Sequence, residues 1–91
     1  MERTPFSPLR EAFPDTGEDI YPMFFGVRSD RYNGPYVQVA YDFNVPDTYE
    51  IQVWRNENEA AEGLEHVDEI DCIDPRNAVD NIRLMLSINY D

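Results

Sequence analysis

Residues 36–55 read YVQVAYDFNVPDTYEIQVWR, and this stretch decides the fold. Apolar and polar residues alternate on both sides of NVPD, which is the period of a half-buried β-strand. The first half predicts a strand with Val37, Val39, Tyr41 and Phe43 on one face and Gln38, Ala40 and Asp42 on the other. The second half predicts a strand with Tyr49, Ile51 and Val53 inward and Glu50, Gln52 and Trp54 outward. NVPD supplies turn residues, so the two strands form an antiparallel hairpin.

A third strand precedes the hairpin. In YPMFFGVRS, residues 21–29, one face collects Tyr21, Met23, Phe25 and Val27. Pro22 and Gly26 indicate an edge or irregular strand, because proline cannot donate to a ladder and glycine weakens one. The Asn33-Gly34-Pro35 sequence then predicts a turn into residues 36–43.

The first twenty residues predict an N-terminal arm. Three prolines and Gly17 break up any long element there. A short helical turn over Leu9–Phe13 is predicted, with Ser7 as its cap and Pro8 at the first helical position. Phe6, Leu9 and Phe13 would then cover one end of the core.

A C-terminal helix is predicted from the sequence DPRNAVDNIRLMLSINY, residues 74–90. Asp74 is a good N-cap and Pro75 suits the first turn. Apolar positions recur at helical spacing, and the predicted inward set is Ala78, Val79, Ile82, Met85, Leu86 and Asn89. We therefore predict one α+β domain over residues 1–91: an antiparallel meander of three to four strands with this helix packed on one face.

Residues 57–74, ENEAAEGLEHVDEIDCID, contain eight carboxylates and no arginine or lysine. Asn56 followed by Glu59 resembles a capping box, which favours a short helix over 57–66, whereas Gly63 favours a loop. HVDEIDCI is then predicted to be a fourth strand with Ile70 and Cys72 inward and Glu69 and Asp71 outward. Leu64 and Val67 would help to attach this run to the core.

Carboxylates can perform several kinds of chemistry, and the chain offers weak candidates for each. His66 lies among acids that disfavour its action as a base, and Cys72 follows the inward pattern, so a catalytic pair is not expected. Asp68, Glu69, Asp71 and Asp74 could provide oxygen ligands for Ca²⁺ or Mg²⁺. They lack the spacing of an EF-hand loop, and a strand would send alternate members to opposite faces. We expect no enzymatic activity, no metal and no cofactor.

The net charge of −12 lies well outside the roughly 2 to 8 units typical of a small domain. Such a field repels nucleic acid and anionic membranes and attracts basic surfaces. We therefore predict an inhibitor that mimics phosphate charge and blocks the DNA- or RNA-binding surface of a basic protein. The predicted contact residues are Glu57, Glu59, Glu62, Glu65, Asp68, Glu69, Asp71, Asp42, Glu50 and Trp54. An outward Trp54 would serve as an interface anchor, unless the N-terminal arm covers it.

Size and charge of this kind are also found in phage-encoded DNA mimics, anti-CRISPR proteins and acidic nuclease inhibitors, which is an analogy of composition only. The alternative is an ordinary interaction module or assembly subunit whose acidity reflects a halophilic or GC-rich background, since all seven cations are arginine. A homodimer is a further alternative. The single cysteine and the lack of an apolar N-terminal segment predict a cytoplasmic protein, in the host cell if it is viral.

Overall fold

The computed structural model describes residues 4–20, 23–44 and 48–90. The elements follow in the order α1 (Ser7–Ala12), β1 (Gly17–Ile20), β2 (Phe24–Arg28), β3 (Tyr36–Asp42), β4 (Thr48–Trp54), α2 (Glu57–Ala61), β5 (Asp68–Cys72) and α3 (Pro75–Ser87). The five strands form one antiparallel sheet in chain order. The α+β prediction is confirmed, with one strand more than expected.

The central hairpin has the predicted inward-facing residues on its two strands. Val37 opposes Val53 and Val39 opposes Ile51, and all four side chains are buried on the face that α3 covers. We call this side the helix face and the opposite side the open face. The turn residues 45–47 lie outside the described residues. Phe43 departs from the prediction: it follows the last residue of β3, is 59% exposed, and packs edge-on against Tyr41 at 4.8 Å between ring centroids.

The additional strand lies within the predicted N-terminal arm. Gly17–Ile20 pairs along its whole length with Phe24–Val27, so β2 is an internal strand and its prediction as an edge strand was wrong. A Cβ at position 17 would lie only 2.5 Å from the Phe25 ring, which explains the glycine at this close approach. Met23 precedes β2 and is 52% exposed instead of buried, because the chain has not yet joined the sheet there. The predictions for Tyr21 and Pro22 concern residues that lie outside the described ranges.

The helices complete one core on the helix face. Phe6, Leu9 and Phe13 are buried as predicted, and the Phe6 ring stacks on Phe25 at 5.8 Å. Ser7 is not the cap of α1: the N-cap position is Phe6, and the Ser7 hydroxyl accepts a hydrogen bond from the Thr4 N–H instead.

The predicted start of α3 is confirmed, since Asp74 Oδ1 accepts a hydrogen bond from the Arg76 N–H at 2.8 Å. Its buried residues are Ala78, Val79, Ile82 and Met85, and Leu86 is half-buried. Asn89 is exposed because α3 ends at Ser87, so its inclusion in the inward set was wrong.

The packing of α3 gives a direct test. Ile82 is fully buried, whereas Leu84 on the same helix is 60% exposed. Ile82→Ala is expected to lower the free energy of unfolding by about 2–5 kcal/mol, since it removes buried methylenes and leaves a cavity. Leu84→Ala should change it by less than about 0.5 kcal/mol. Urea denaturation followed by circular dichroism measures both, and equal effects would contradict the assigned helix face.

Candidate acidic partner-binding surface

The acidic run begins with the short helix α2. The Asn56 side chain accepts a hydrogen bond from the Glu59 N–H at 2.9 Å, so the predicted cap is confirmed. The helix is shorter than 57–66 and ends at Ala61, close to Gly63, whose φ is +75°. Glycine adopts this left-handed backbone at little cost. The chain therefore reverses after α2 and returns towards the sheet.

Trp54 fixes this returning segment onto the open face. Its indole Nε1 donates a hydrogen bond to the Leu64 carbonyl oxygen at 2.7 Å, and the His66 ring lies edge-on to it at 6.0 Å. As a result Trp54 is only 8% exposed. Neither predicted environment was right: Trp54 is no exposed anchor, and the segment after α2 covers it in place of the N-terminal arm. Leu64 makes this contact through its backbone, and its side chain stays exposed, contrary to the prediction.

The next part of the run is β5, which forms one edge of the sheet with the predicted orientation. Cys72 is buried and Ile70 packs partly against the core, whereas Glu69 and Asp71 are exposed on the open face. The register places Asp71 directly opposite Glu50 of β4 and Glu69 opposite Gln52. Directly opposed like charges destabilise an antiparallel pair. Glu50 and Asp71 therefore repel each other across the ladder.

Six of the predicted contact residues lie on the open face or in the segment that folds over its end. We call this set the acidic surface: Glu50, Glu57, Glu62, Glu65, Glu69 and Asp71. Two of its members have a basic side chain nearby, since Glu57 lies 3.9 Å from Arg28 Nε and Glu69 lies 3.5 Å from His66 Nε2. For the other four, the described part of the chain provides no cation within 4 Å.

The remaining predicted contact residues are held elsewhere. Glu59 is largely buried and pairs with Arg55 at 3.6 Å. Asp68 faces the helix side, where the Tyr90 hydroxyl hydrogen-bonds to its Oδ2 at 3.3 Å. Asp42 shares the open face and lies one row beyond Glu50, at the end opposite Trp54, where its Oδ1 accepts hydrogen bonds from Asn44. Only part of the predicted set thus forms a continuous surface.

The metal alternative does not fit this arrangement. Glu69 and Asp71 lie on the open face, Asp68 lies on the other side of the same strand, and Asp74 caps α3. Within the described ranges, no three His, Cys, Asp or Glu side chains converge as metal ligands would. The spread follows from the alternation of side chains along a strand.

The pairing of His66 with Cys72 is also absent. Cys72 is buried on the helix face, where Asn81 Nδ2 donates a hydrogen bond to its Sγ at 3.5 Å. His66 packs against Trp54 on the open face. Burial, followed by the nearby charge of Asp71, raises the pKa of the Cys72 thiol. This thiol therefore stays protonated at neutral pH and makes a poor nucleophile.

The sequence-based set missed the apolar half of the open face. A shallow cleft of about 390 Å³ runs between Phe24 and Ala40 at one end and Glu50, Glu69 and Asp71 at the other. Gln38 of β3 and Gln52 of β4 also line it and oppose each other in the register. Phe24 is 39% exposed. Its outward position follows from the alternation in residues 21–29, so the signal was present in the sequence.

Comparison of the chain with protein-family models, with curated proteins and with solved structures gives no match. In the part of the chain that the structure describes, no helix is both long and apolar enough to cross a membrane.

The Glu50–Asp71 repulsion predicts that neutralisation stabilises the fold. The double variant Glu50→Gln/Asp71→Asn should raise the free energy of unfolding at low salt by about 0.5–1 kcal/mol. The gain should vanish near 1 M salt, where the Debye length is only about 3 Å. Asp15→Asn/Asp80→Asn is the matched control, because it changes the net charge equally at two exposed sites. An equal gain in the control would show a general charge effect instead of a local one.

Tyr90, on the opposite side of β5, should make the stability of the fold depend on pH. Burial, then the charge of Asp68 and the hydrogen bond to it, raise the pKa of Tyr90 from 10 to about 12. Because the folded state favours the neutral phenol, this contribution to stability is complete below pH 10 and is lost as the pH rises to about 12. Denaturation of the wild type across this range should therefore show a steeper loss than Tyr90→Phe. The fully exposed Tyr32 supplies the control: Tyr32→Phe should keep the wild-type slope, and a wild-type slope in Tyr90→Phe would contradict the assignment.

Proposed function

We propose that this protein is a small inhibitor that binds the basic nucleic-acid-binding surface of another protein and presents carboxylates in place of phosphates. The observation that carries the proposal is the opposed Glu50–Asp71 pair, which has no cation within 4 Å in the described residues. Glu69, Glu62 and Glu65 extend the same negative charge along the face and over its end.

A cationic partner relieves the repulsion within this pair. Opposed carboxylates raise the free energy of the unbound protein, and an arginine or lysine placed between them removes that penalty. Charge-assisted hydrogen bonds to the cation then add to the gain. The overall charge of −12 accelerates encounter with a basic surface and disfavours approach of nucleic acid itself. A basic protein is therefore the partner that this surface suits best.

The apolar half of the open face supports binding to a protein. Phe24 is exposed beside the acidic cleft. An aromatic ring next to carboxylates can accommodate the alkyl part or the plane of an arginine side chain while the acids bind its charge. The action is non-enzymatic in this proposal, it needs no cofactor, and the cytoplasm is its location.

The exposed Phe24 also favours the second candidate, an ordinary interaction module in which the apolar half dominates binding. Under that alternative the acids keep the protein soluble without directing it to a partner. The two candidates differ in which substitution abolishes binding: Phe24→Ala for the module, and Glu50→Gln/Asp71→Asn for the phosphate mimic.

A capture and competition experiment tests the proposal. The immobilised wild type should retain from its native cell, or an infected host, a nucleic-acid-binding protein that Glu50→Gln/Asp71→Asn fails to retain. The free wild type should then displace labelled DNA or RNA from that partner. The double variant should compete about tenfold or more less effectively, because loss of a close charge pair at an interface costs at least that much affinity.

The control for net charge is again Asp15→Asn/Asp80→Asn, which should compete nearly as well as the wild type. An equal loss in this control would assign the effect to total charge. Undiminished competition by the Glu50/Asp71 variant would refute phosphate mimicry by this surface, and loss of capture only in Phe24→Ala would establish the interaction module.

A further inference from the structure

A second cavity, of about 440 Å³, collects arginines in this acidic protein. Its walls include Arg28, Arg31 and Arg83, together with Phe13 and Leu86. The three arginines come from β2, from the loop after it and from α3. The chain has seven arginines and nineteen acids, so a cavity lined by three arginines is locally richer in cations than the chain as a whole.

Two of these arginines have no carboxylate within 4 Å in the described part of the chain. Arg10 and Arg55 lie within 4 Å of acids elsewhere in the fold, whereas Arg76, outside this cavity, has no such acid among the described residues. Arg31 and Arg83 likewise have none among the residues that the structure describes. Arg28 has only long contacts, at 3.6 Å to Glu18 and 3.9 Å to Glu57. Arg31 and Arg83 therefore contribute positive charge to this cavity without a direct ion pair among the described residues.

The two unpaired guanidinium groups are nevertheless held in place. Arg31 donates from Nη2 to the carbonyl oxygens of Leu86 and Ile88, at 2.7 and 3.1 Å, which leaves its Nε and Nη1 donors for another acceptor. These bonds also satisfy carbonyls at the C-terminal end of α3, where partial negative charge would oppose an anion. The Arg83 guanidinium lies 5.5 Å from the centre of the Phe13 ring. Both side chains are thus positioned before any ligand arrives.

The geometry points to a binding site for a phosphomonoester that carries a compact apolar group. Guanidinium groups from several directions match the oxygens of a phosphate, and arginine forms paired hydrogen bonds with it. The cavity is larger than a bare phosphate needs and falls within the range of about 300–1,000 Å³ for small-molecule sites. Phe13 and Leu86 provide the apolar wall. Asp30 also lines the cavity and reduces its affinity for anions.

This site is independent of the proposed inhibitory function. Arg28 of its lining lies 3.9 Å from Glu57 of the acidic surface, but the site selects the opposite charge. Its ligand is a small molecule, and its test requires no partner protein.

Titration of the full-length protein with phenyl phosphate, inorganic phosphate and phenol tests the site. Calorimetry and the backbone amide shifts of Ser29, Arg31 and Ser87 provide the readouts. Phenyl phosphate should bind saturably and several-fold more tightly than inorganic phosphate, and phenol should not bind. Arg83→Gln should lower the affinity for phenyl phosphate by about tenfold or more, because it removes a hydrogen bond to a charged group. Asp30→Asn should tighten it several-fold, because a like charge is removed.

Arg76→Gln is the matched control, since Arg76 is an exposed arginine of the same helix that does not line this cavity. It should leave the affinity unchanged. An equal loss in Arg76→Gln and Arg83→Gln would overturn the site, as would the lack of saturation at millimolar phenyl phosphate. Equal affinities for inorganic phosphate and phenyl phosphate would overturn the role of the apolar wall. An unchanged thermal transition in Arg83→Gln shows that its loss of affinity is not loss of fold.

Discussion

Burial of one face of the sheet beneath the helices is the constraint on which the rest of this structure depends. Val37, Val39 and Ile51 lie under α3, and α1 extends the same layer over Phe25. Because side chains alternate along a strand, this choice sends every second residue of each strand to the other side. A shift of one residue would place Glu50 and Asp71 in the core. The same alternation of side chains therefore produces both the apolar core and the acidic open face.

The open face combines features that would be unfavourable separately. Acids opposed across β4 and β5 repel each other, and an exposed Phe24 adds apolar surface next to them. The β5 edge gains from the charge, however, because charged side chains on an edge strand discourage pairing with other chains. The same residues that suit a cationic partner thus also keep the sheet from extending between molecules.

Much of the fold could be predicted from the sequence, because local patterns determine it. Alternation located β3, β4 and β5, and side-chain caps located the starts of α2 and α3. The strand β1 could not be found in this way, because GEDI has one apolar residue and is held by backbone pairing with β2. The cover over Trp54 was also missed, since it depends on how the chain returns after Gly63. The six acids of the acidic surface could all be predicted as contact residues from the sequence. Which of the predicted residues share one face could be decided only from the strand register.

Trp54 is the only tryptophan in the chain, and its indole lies beneath the segment that carries Glu62 and Glu65. Indole emission responds to water and to hydrogen bonding at Nε1, so the tryptophan emission of this protein reports on the contact between Trp54 and that segment. A change in emission without loss of circular dichroism therefore identifies detachment of the acidic segment from a sheet that is still folded. Trp54 is thus an intrinsic fluorescent probe at the edge of the surface that is proposed to bind a partner.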